Sequence, residues 1–321
     1  MLKLQGKNAE KVIELLKKRR GSNYNPANGI SDGSKIGLIL EGGGMRGVIG
    51  CAAVDTLFQL GFGNCFDIIC GTSAGSINGA YFISGQINMG TSIYYENLTC
   101  KKFINLMKYP DIMNLDYLFD EWLMRGKKLD TSKVINSKMP LYITATNVDT
   151  GQLEYFCSQE LTTESLFKAL KASSSPPLFT DNHELINGNY YNDGMIKAAI
   201  PADIAIKRGC THLVYVLTRE VGFKKSQSKI IKVLESLRLH KYSRAYLTAF
   251  HNRISTYNIS IDKAYGGSED QDTLVIAPTS KEDIIGNGEI EEGKVRKASM
   301  TAMENVADII DEKNIELKMY S

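Results

Sequence analysis

The residues best placed to do chemistry are a serine, a run of glycines and a late aspartate. GTSAG (Gly71–Gly75) fits G-x-S-x-G, in which a serine sits on a strained strand-to-helix turn, its hydroxyl exposed and its neighbours kept small. Ser73 is therefore a candidate nucleophile, with Gly71 and Gly75 as the small residues of the elbow. The competing reading is a helix N-cap in a glycine-rich turn, since serine caps helices well. GGGMRG (Gly42–Gly47) follows an apolar run and opens a helical pattern, so its backbone N–H groups can face an anion at a helix N-terminus. Asp193 lies in NDGM, where Gly194 removes bulk beside a carboxylate; Asn-Asp-Gly is also a plain turn signal.

Other chemistries fit less well. Gly42, Gly44 and Gly47 satisfy G-x-G-x-x-G with Asp67 twenty residues on, the spacing of a dinucleotide site. The ribose-binding acid should end the second strand, however, and Asp67 begins FDIIC. The loop lacks the G-K-[ST] of a Walker motif. A serine needs a base, and histidine is the usual one. His183, His212, His240 and His251 have no flanking active-site glycines and read as surface or packing residues, although chain order alone permits Ser73, Asp193 and a later histidine as an α/β-hydrolase triad.

These residues must be held by regular elements. KIGLIL (Lys35–Leu40) reads as a buried strand before the glycines, with a helix over Val48–Leu60. FDIIC (Phe66–Cys70) repeats the plan before GTSAG and a helix over Ser76–Ile83. Two strand-glycine-helix units in series predict βαβ connections and a parallel sheet. PLYITATNVDTGQLEYF (140–156) reads as strand, turn, strand. A helix is expected over Thr163–Ala172, short extended structure over ELINGNYYNDGM, a helix from Pro201, and strands at His212–Leu217 and Thr273–Pro278. Residues 91–128 are predicted to be a mostly helical insertion, rich in Tyr, Phe and Met and carrying Trp122. Their side chains suit an acyl pocket or lid, and equally ordinary core packing.

The fold class expected is α/β, a three-layer sandwich with a mainly parallel central sheet. Residues 1–34 form an N-terminal helix and lead-in, 35–220 the core, and 221–321 a mostly helical region packed on it. The 321 residues carry 43% hydrophobic and 23% charged side chains, the balance of a globular chain. Lys plus Arg number 38 against 36 Asp plus Glu, a net charge of +2, with no footprint for nucleic acid. Six scattered cysteines, without a CxxC pair, read as reduced thiols. No ligand cluster calls for a metal, and no cofactor is expected. The start lacks the apolar run of a signal peptide, no stretch is long enough to span a bilayer, and the expected location is cytoplasmic. VIELL beside KKRR suits either transient contact with an anionic membrane surface or a solvated, loosely docked helix. The oligomeric state is not read from the sequence.

Taken together, GGGMRG, GTSAG and the later DG resemble the patatin-like phospholipase family, in its bacterial branch. The resemblance runs from about Lys35 to about Pro201. ASSSPPLF (Ala172–Phe179) is similar to the block preceding the aspartate in that family. The resemblance implies a Ser-Asp dyad without histidine: Ser73 as nucleophile, Asp193 as general base, and the Gly42–Gly44 loop as oxyanion hole through the N–H groups of Gly43 and Gly44, with Arg46 fixing the loop. It implies a lipid or other acyl ester as substrate. Where the family usually has Gly or Ala after DG, this chain has Met195, which is expected to narrow the pocket or tilt Asp193. The alternatives are an α/β-hydrolase with a Ser-Asp-His triad and a non-catalytic acyl-lipid binding module.

Overall fold

A computed structural model of the chain describes residues 4–22, 24, 32–109, 111–227, 233, 235, 238–266 and 270–310. Most of the lead-in at 21–34 lies outside them. Five short apolar runs become parallel strands: β1 (Ile36–Leu40), β2 (Ile68–Gly71), β3 (Leu141–Asn147), β7 (His212–Val216) and β8 (Asp272–Ile276). They run in the order β3-β2-β1-β7-β8. Three antiparallel strands complete the sheet on the β3 side: β4 (Leu153–Cys157), β5 (Glu184–Ile186) and β6 (Asn189–Asp193).

Alternate strand residues feed two separate cores, which is why the parallel strands read as continuous apolar runs. Ile36, Leu38, Leu40, Ile69 and Ile143 face one layer with helices α1 (Ala9–Gly21), α2 (Gly47–Leu57), α3 (Ala74–Ser84) and α6 (Thr163–Ser173). The short helices α4 (Met89–Ser92) and α5 (Thr131–Ile135) lie between α3 and α6 in sequence. Ile39, Cys70, Tyr142, Leu213 and Tyr215 face the other layer, which holds α7 (Met195–Ala198), α8 (Ala202–Lys207) and α9 (Arg244–Gly266). The last helix, α10 (Glu292–Ile310), returns to the first layer through Val295, Met303 and Val306. The result is the three-layer α/β sandwich with a mainly parallel sheet that the sequence pattern predicts.

The register of β3 determines where the site forms. β4 pairs with Tyr142–Thr146 along one edge of β3. Because Ile143 pairs with both β4 and β2, and Ala145 with both β4 and β6, β2 and β6 must share the opposite edge, end to end. Gly71, the last residue of β2, lies against Ile143, and Asp193, the last of β6, lies against Ala145. Two residues of strand separate these positions, about 7 Å.

Two regions differ from the sequence reading. The 91–128 insertion is less helical than predicted: wide helical turns at Ile93–Asn97 and Tyr117–Gly126 flank an irregular stretch closed by a single bridge between Ile104 and Met113. Asn105 and Asn114, residues that favour turns, interrupt the helical period there. The N-terminal helix is firmly docked. Val12, Ile13 and Leu16 are buried, and so is Arg19 of the basic run. Arg19 ion-pairs with Asp32 at 2.8 Å and Asp67 at 2.7 Å and donates to the carbonyl of Cys65. This explains Asp67: it ties α1 to the start of β1, accepting also from Tyr24 and the Ile36 amide, far from the glycine loop.

Candidate active site

Ser73 stands between β2 and α3 with φ 54° and ψ −128°. A positive φ at a non-glycine residue is strained by roughly 1–3 kcal/mol, and the surroundings hold it there. The Ser73 N–H donates to Ser173 Oγ at 2.8 Å, and its carbonyl accepts from Ser76 Oγ at 2.6 Å. A Cβ on Gly75 would sit 2.4 Å from the Leu40 carbonyl oxygen, and one on Gly42 would sit 2.7 Å from that of Thr72. Both contacts are with backbone, so only glycine lets the two turns lie against each other. The Ser73 hydroxyl makes no hydrogen bond among the described residues.

The loop after β1 passes over this turn. The amides of Gly42, Gly43 and Gly44 donate to no described residue, whereas the next two are used: Met45 N–H to the Asn287 carbonyl at 3.0 Å, Arg46 N–H to that of Gly43 at 3.1 Å. Gly44 has φ +57°, and a Cβ on it would lie 2.7 Å from the Asn287 oxygen. Arg46 is buried; its Nε donates to Thr218 Oγ1 at 3.2 Å and its Nη1 to Asn287 Oδ1. Burial pushes this guanidinium down to about 10. Glu41, also buried, accepts from the Thr218 amide and hydroxyl and from Tyr257 Oη. The loop thus lies between the ends of β1 and β7, where successive connections leave the sheet in opposite directions, a usual ligand position in open α/β sheets.

Asp193 ends β6 with its side chain buried. Its amide donates to the Ser175 carbonyl at 3.2 Å, its carbonyl accepts from Thr146 Oγ1 at 2.9 Å, and its Oδ1 accepts the Met195 N–H at 2.8 Å. Ser73 and Asp193 therefore hang by their amides from Ser173 and Ser175 of one short segment. A second link runs through threonines. Thr72 Oγ1 donates to the Ala198 carbonyl at 2.6 Å and lies 2.7 Å from Thr144 Oγ1, and a Cβ on Gly194 would fall 2.2 Å from that same Thr144 oxygen. Burial pushes the Asp193 carboxyl up to about 7, against the opposing pull of the Met195 N–H and the Lys225 charge. Lys225 is half-buried, its Nζ 3.9 Å from the Tyr257 ring centroid, and burial pushes it down to about 8. The Met195 side chain packs into the core beneath the sheet, apart from the cavity at Ser73.

That cavity is apolar and comprises about 460 Å³ of atom-free space, part of it open to solvent. Gly44, Met45, Ser73 and Ser174 line it, and the insertion supplies much of the remaining wall, with Tyr94, Phe103, Leu118 and Leu123. The Ser174 hydroxyl is buried without a partner. No histidine lines that cavity. His183 pairs with Tyr242 Oη, and His251 is exposed on α9. His212 starts β7 opposite Ile36, four residues or about 13 Å from the Leu40 end where the glycine loop begins. The six cysteines are free. Among the described residues no group of three or more His, Cys, Asp or Glu could hold a metal, and no helix is long and apolar enough to cross a membrane. Thr144, Thr146, Lys225 and Asn287 were not legible as site residues; each enters through a long-range contact with no local motif.

The parallel sheet and its serine turn define an α/β protein with an elbow-mounted serine beneath a glycine loop. Residues 38–206, just over half of the chain, match the family model for patatin-like phospholipase. The chain belongs to the patatin-like phospholipase family, whose members typically hydrolyse lipid esters. It is 29% identical over 189 residues to the uncharacterized protein YjjU of Escherichia coli K12, covering 57% of this chain and 52% of that one, so it spans about half the length of this curated relative. Among solved structures it is similar to VipD from Legionella pneumophila, with a TM-score of 0.43 and 11% identity over 87% of this chain and 67% of that one; at that score the likeness carries no conclusion.

Proposed function

We propose that the protein is a serine acyl hydrolase acting on carboxylic esters of lipids through Ser73 and Asp193. The observation that carries this reading is the position of Ser73: strained, lining an apolar cavity, and beside glycine amides that, like its own hydroxyl, have no partner among the described residues. Asp193 takes the Ser73 proton as Oγ attacks the ester carbonyl. The amides of Gly43 and Gly44 stabilise the oxyanion, with Gly42 shaping their loop. The protonated Asp193 then returns its proton to the leaving alcohol. In the second half a water gives a proton to Asp193 as its oxygen bonds to the acyl carbon; the acyl C–Oγ bond then breaks, Asp193 returns that proton to Ser73 Oγ, and the acid leaves. A carboxyl group near neutrality suits this exchange, because it accepts and returns a proton readily at working pH.

No hydrogen bond joins the Ser73 and Asp193 side chains; a nucleophile and its base often come into hydrogen-bond reach only in the complex with substrate. Arg46 supports the loop from behind rather than facing the ester. The test is labelling with a fluorophosphonate, followed by peptide mapping, alongside hydrolysis of p-nitrophenyl esters. Label on Ser73, with turnover lowered at least ~100-fold in folded Ser73→Ala and Asp193→Asn, is the expected result. Absence of label and turnover on every ester would leave a lipid-binding module, and loss of turnover in a folded histidine variant would restore the triad.

A further inference from the structure

The two most exposed large apolar side chains among the described residues are neighbours: Met107 is 94% exposed and Leu106 76%. They form the tip of an excursion from the insertion. Its base is closed by the Ile104–Met113 bridge and by hydrogen bonds from Asn105 N–H to the Ile112 carbonyl and from Asn114 N–H to the Phe103 carbonyl. The tip is a short 3-10 turn, capped by the Asn105 side chain accepting from the Met107 amide at 3.0 Å. This is a built turn that presents apolar groups outward. Tyr109 follows at 45% exposure, its ring facing the Arg238 guanidinium.

The charge around the tip has one dominant sign. Lys101, Lys102 and Lys108 are exposed and form no ion pair among the described residues. Arg238 and Lys241 share Asp181, and Asp111, the exposed acid within the excursion, accepts the Asp181 amide. At its base the excursion joins the site, since Phe103 and Met113 line the cavity that Ser73 also lines. Gly288 lies against Ile104, next to the Asn287 that accepts hydrogen bonds from the Met45 amide and the Arg46 guanidinium. An exposed apolar tip that carries Lys108, with Lys101 and Lys102 exposed just before its base, complements a surface with an apolar interior and anionic head groups.

We propose that Leu106–Tyr109 docks the protein on an anionic lipid bilayer, Leu106 and Met107 entering the acyl boundary and Lys101, Lys102 and Lys108 meeting the head groups. Docking there brings the mouth of the cavity to the lipid surface. The choice of a bilayer as the occupant rests on the acyl-ester reading. The N-terminal basic helix is not the docking element, because its apolar face is already buried.

The test is co-sedimentation of the full chain with vesicles of phosphatidylcholine alone and of phosphatidylcholine with phosphatidylglycerol. It compares wild type, Leu106→Asp with Met107→Asp, and Lys101→Glu with Lys102→Glu, and measures p-nitrophenyl butyrate hydrolysis in parallel. Wild type should partition at least tenfold more onto the anionic vesicles than either double variant, with the difference between wild type and the lysine variant shrinking in 0.5 M salt, and short-ester hydrolysis should stay within twofold. Equal partitioning of all three proteins, or no binding of wild type to anionic vesicles, overturns the proposal. So does sedimentation velocity showing a wild-type dimer dissolved by the apolar-tip variant, which would assign the tip to a second copy of the chain. Vesicle binding without hydrolysis in any form would leave docking standing and sink the acyl-ester reading instead.

Discussion

Replacing Asp193 by asparagine should abolish turnover and at the same time stabilise the protein at neutral pH. In the unfolded chain this carboxyl ionises near its ordinary 3.8, and in the native site burial delays ionisation to about 7. Between those values the unfolded state has released a proton that the native state keeps, so this residue's contribution to stability falls as pH rises and levels off above about 7. At 1.36 kcal/mol per pH unit, the three-unit gap amounts to about 4 kcal/mol against the native state at pH 8. Asparagine removes that penalty. Its Oδ1 can still accept the Met195 N–H, but its buried amide group offsets part of the gain, by about 1–2 kcal/mol. The offset does not depend on pH, so the slope is the cleaner quantity: the stability of Asp193→Asn relative to wild type should rise by about 3 kcal/mol between pH 5 and pH 8. Asp55 is the control. It is buried beside α4, accepts from the Asn88 amide and Thr91 hydroxyl, and burial pushes it too to about 7. Asp55→Asn should show the same slope and retain turnover. Urea unfolding of the three proteins at both pH values, with ester hydrolysis on each, decides the matter. A relative stability of Asp193→Asn that does not change with pH would mean that Asp193 ionises normally, and would refute the account of a base held near neutrality by burial.

Two further outcomes follow from the same geometry. Because Asp193, as the proposed base, would have to be ionised to accept the Ser73 proton, kcat/KM should rise with pH through about 7, and Lys225→Met, which removes a nearby positive charge, should move that limb upward by roughly 0.5–1 pH unit, read from pH-rate profiles. Leu118→Trp fills the wall of the cavity and should lower kcat/KM for long-chain p-nitrophenyl esters by about 10–200-fold while sparing the butyrate, as a chain-length series will show.

The sheet was legible because its strands are buried on both faces and end in glycine-rich turns, so KIGLIL and FDIIC announce both the strand and its exit. The Gly42–Gly47 and Gly71–Gly75 turns were legible for the same local reason. What joins them was not. Thr144 looks like any β-branched strand residue until Thr72 and Gly194 close on it. Asn287 sits in an undistinguished loop more than two hundred residues beyond the glycine loop that it holds through Met45 and Arg46. Arg19 misled for the opposite reason: a basic run reads as a solvated face, and nothing in the run itself reveals that Asp32 and Asp67 neutralise one member inside the core. Met195 was expected to disturb Asp193, yet its amide steadies the carboxylate and its side chain leaves for another layer.

The end-to-end meeting of β2 and β6 on one edge of β3 makes their lengths interdependent. Only the position opposite Thr144 separates their ends, so neither strand can grow by more than one residue without running into the other, and a one-residue slip of β6 would turn the Asp193 side chain to the opposite face of the sheet. A chain that pairs β6 in the wrong register loses the Asp193–Ser175 and Thr146 bonds together with the seat of Gly194 on Thr144. A misregistered β6 forfeits several buried bonds at once, so the pairing that keeps them all is the one that sets Asp193 against Ala145, two strand positions from Gly71 at the start of the serine turn.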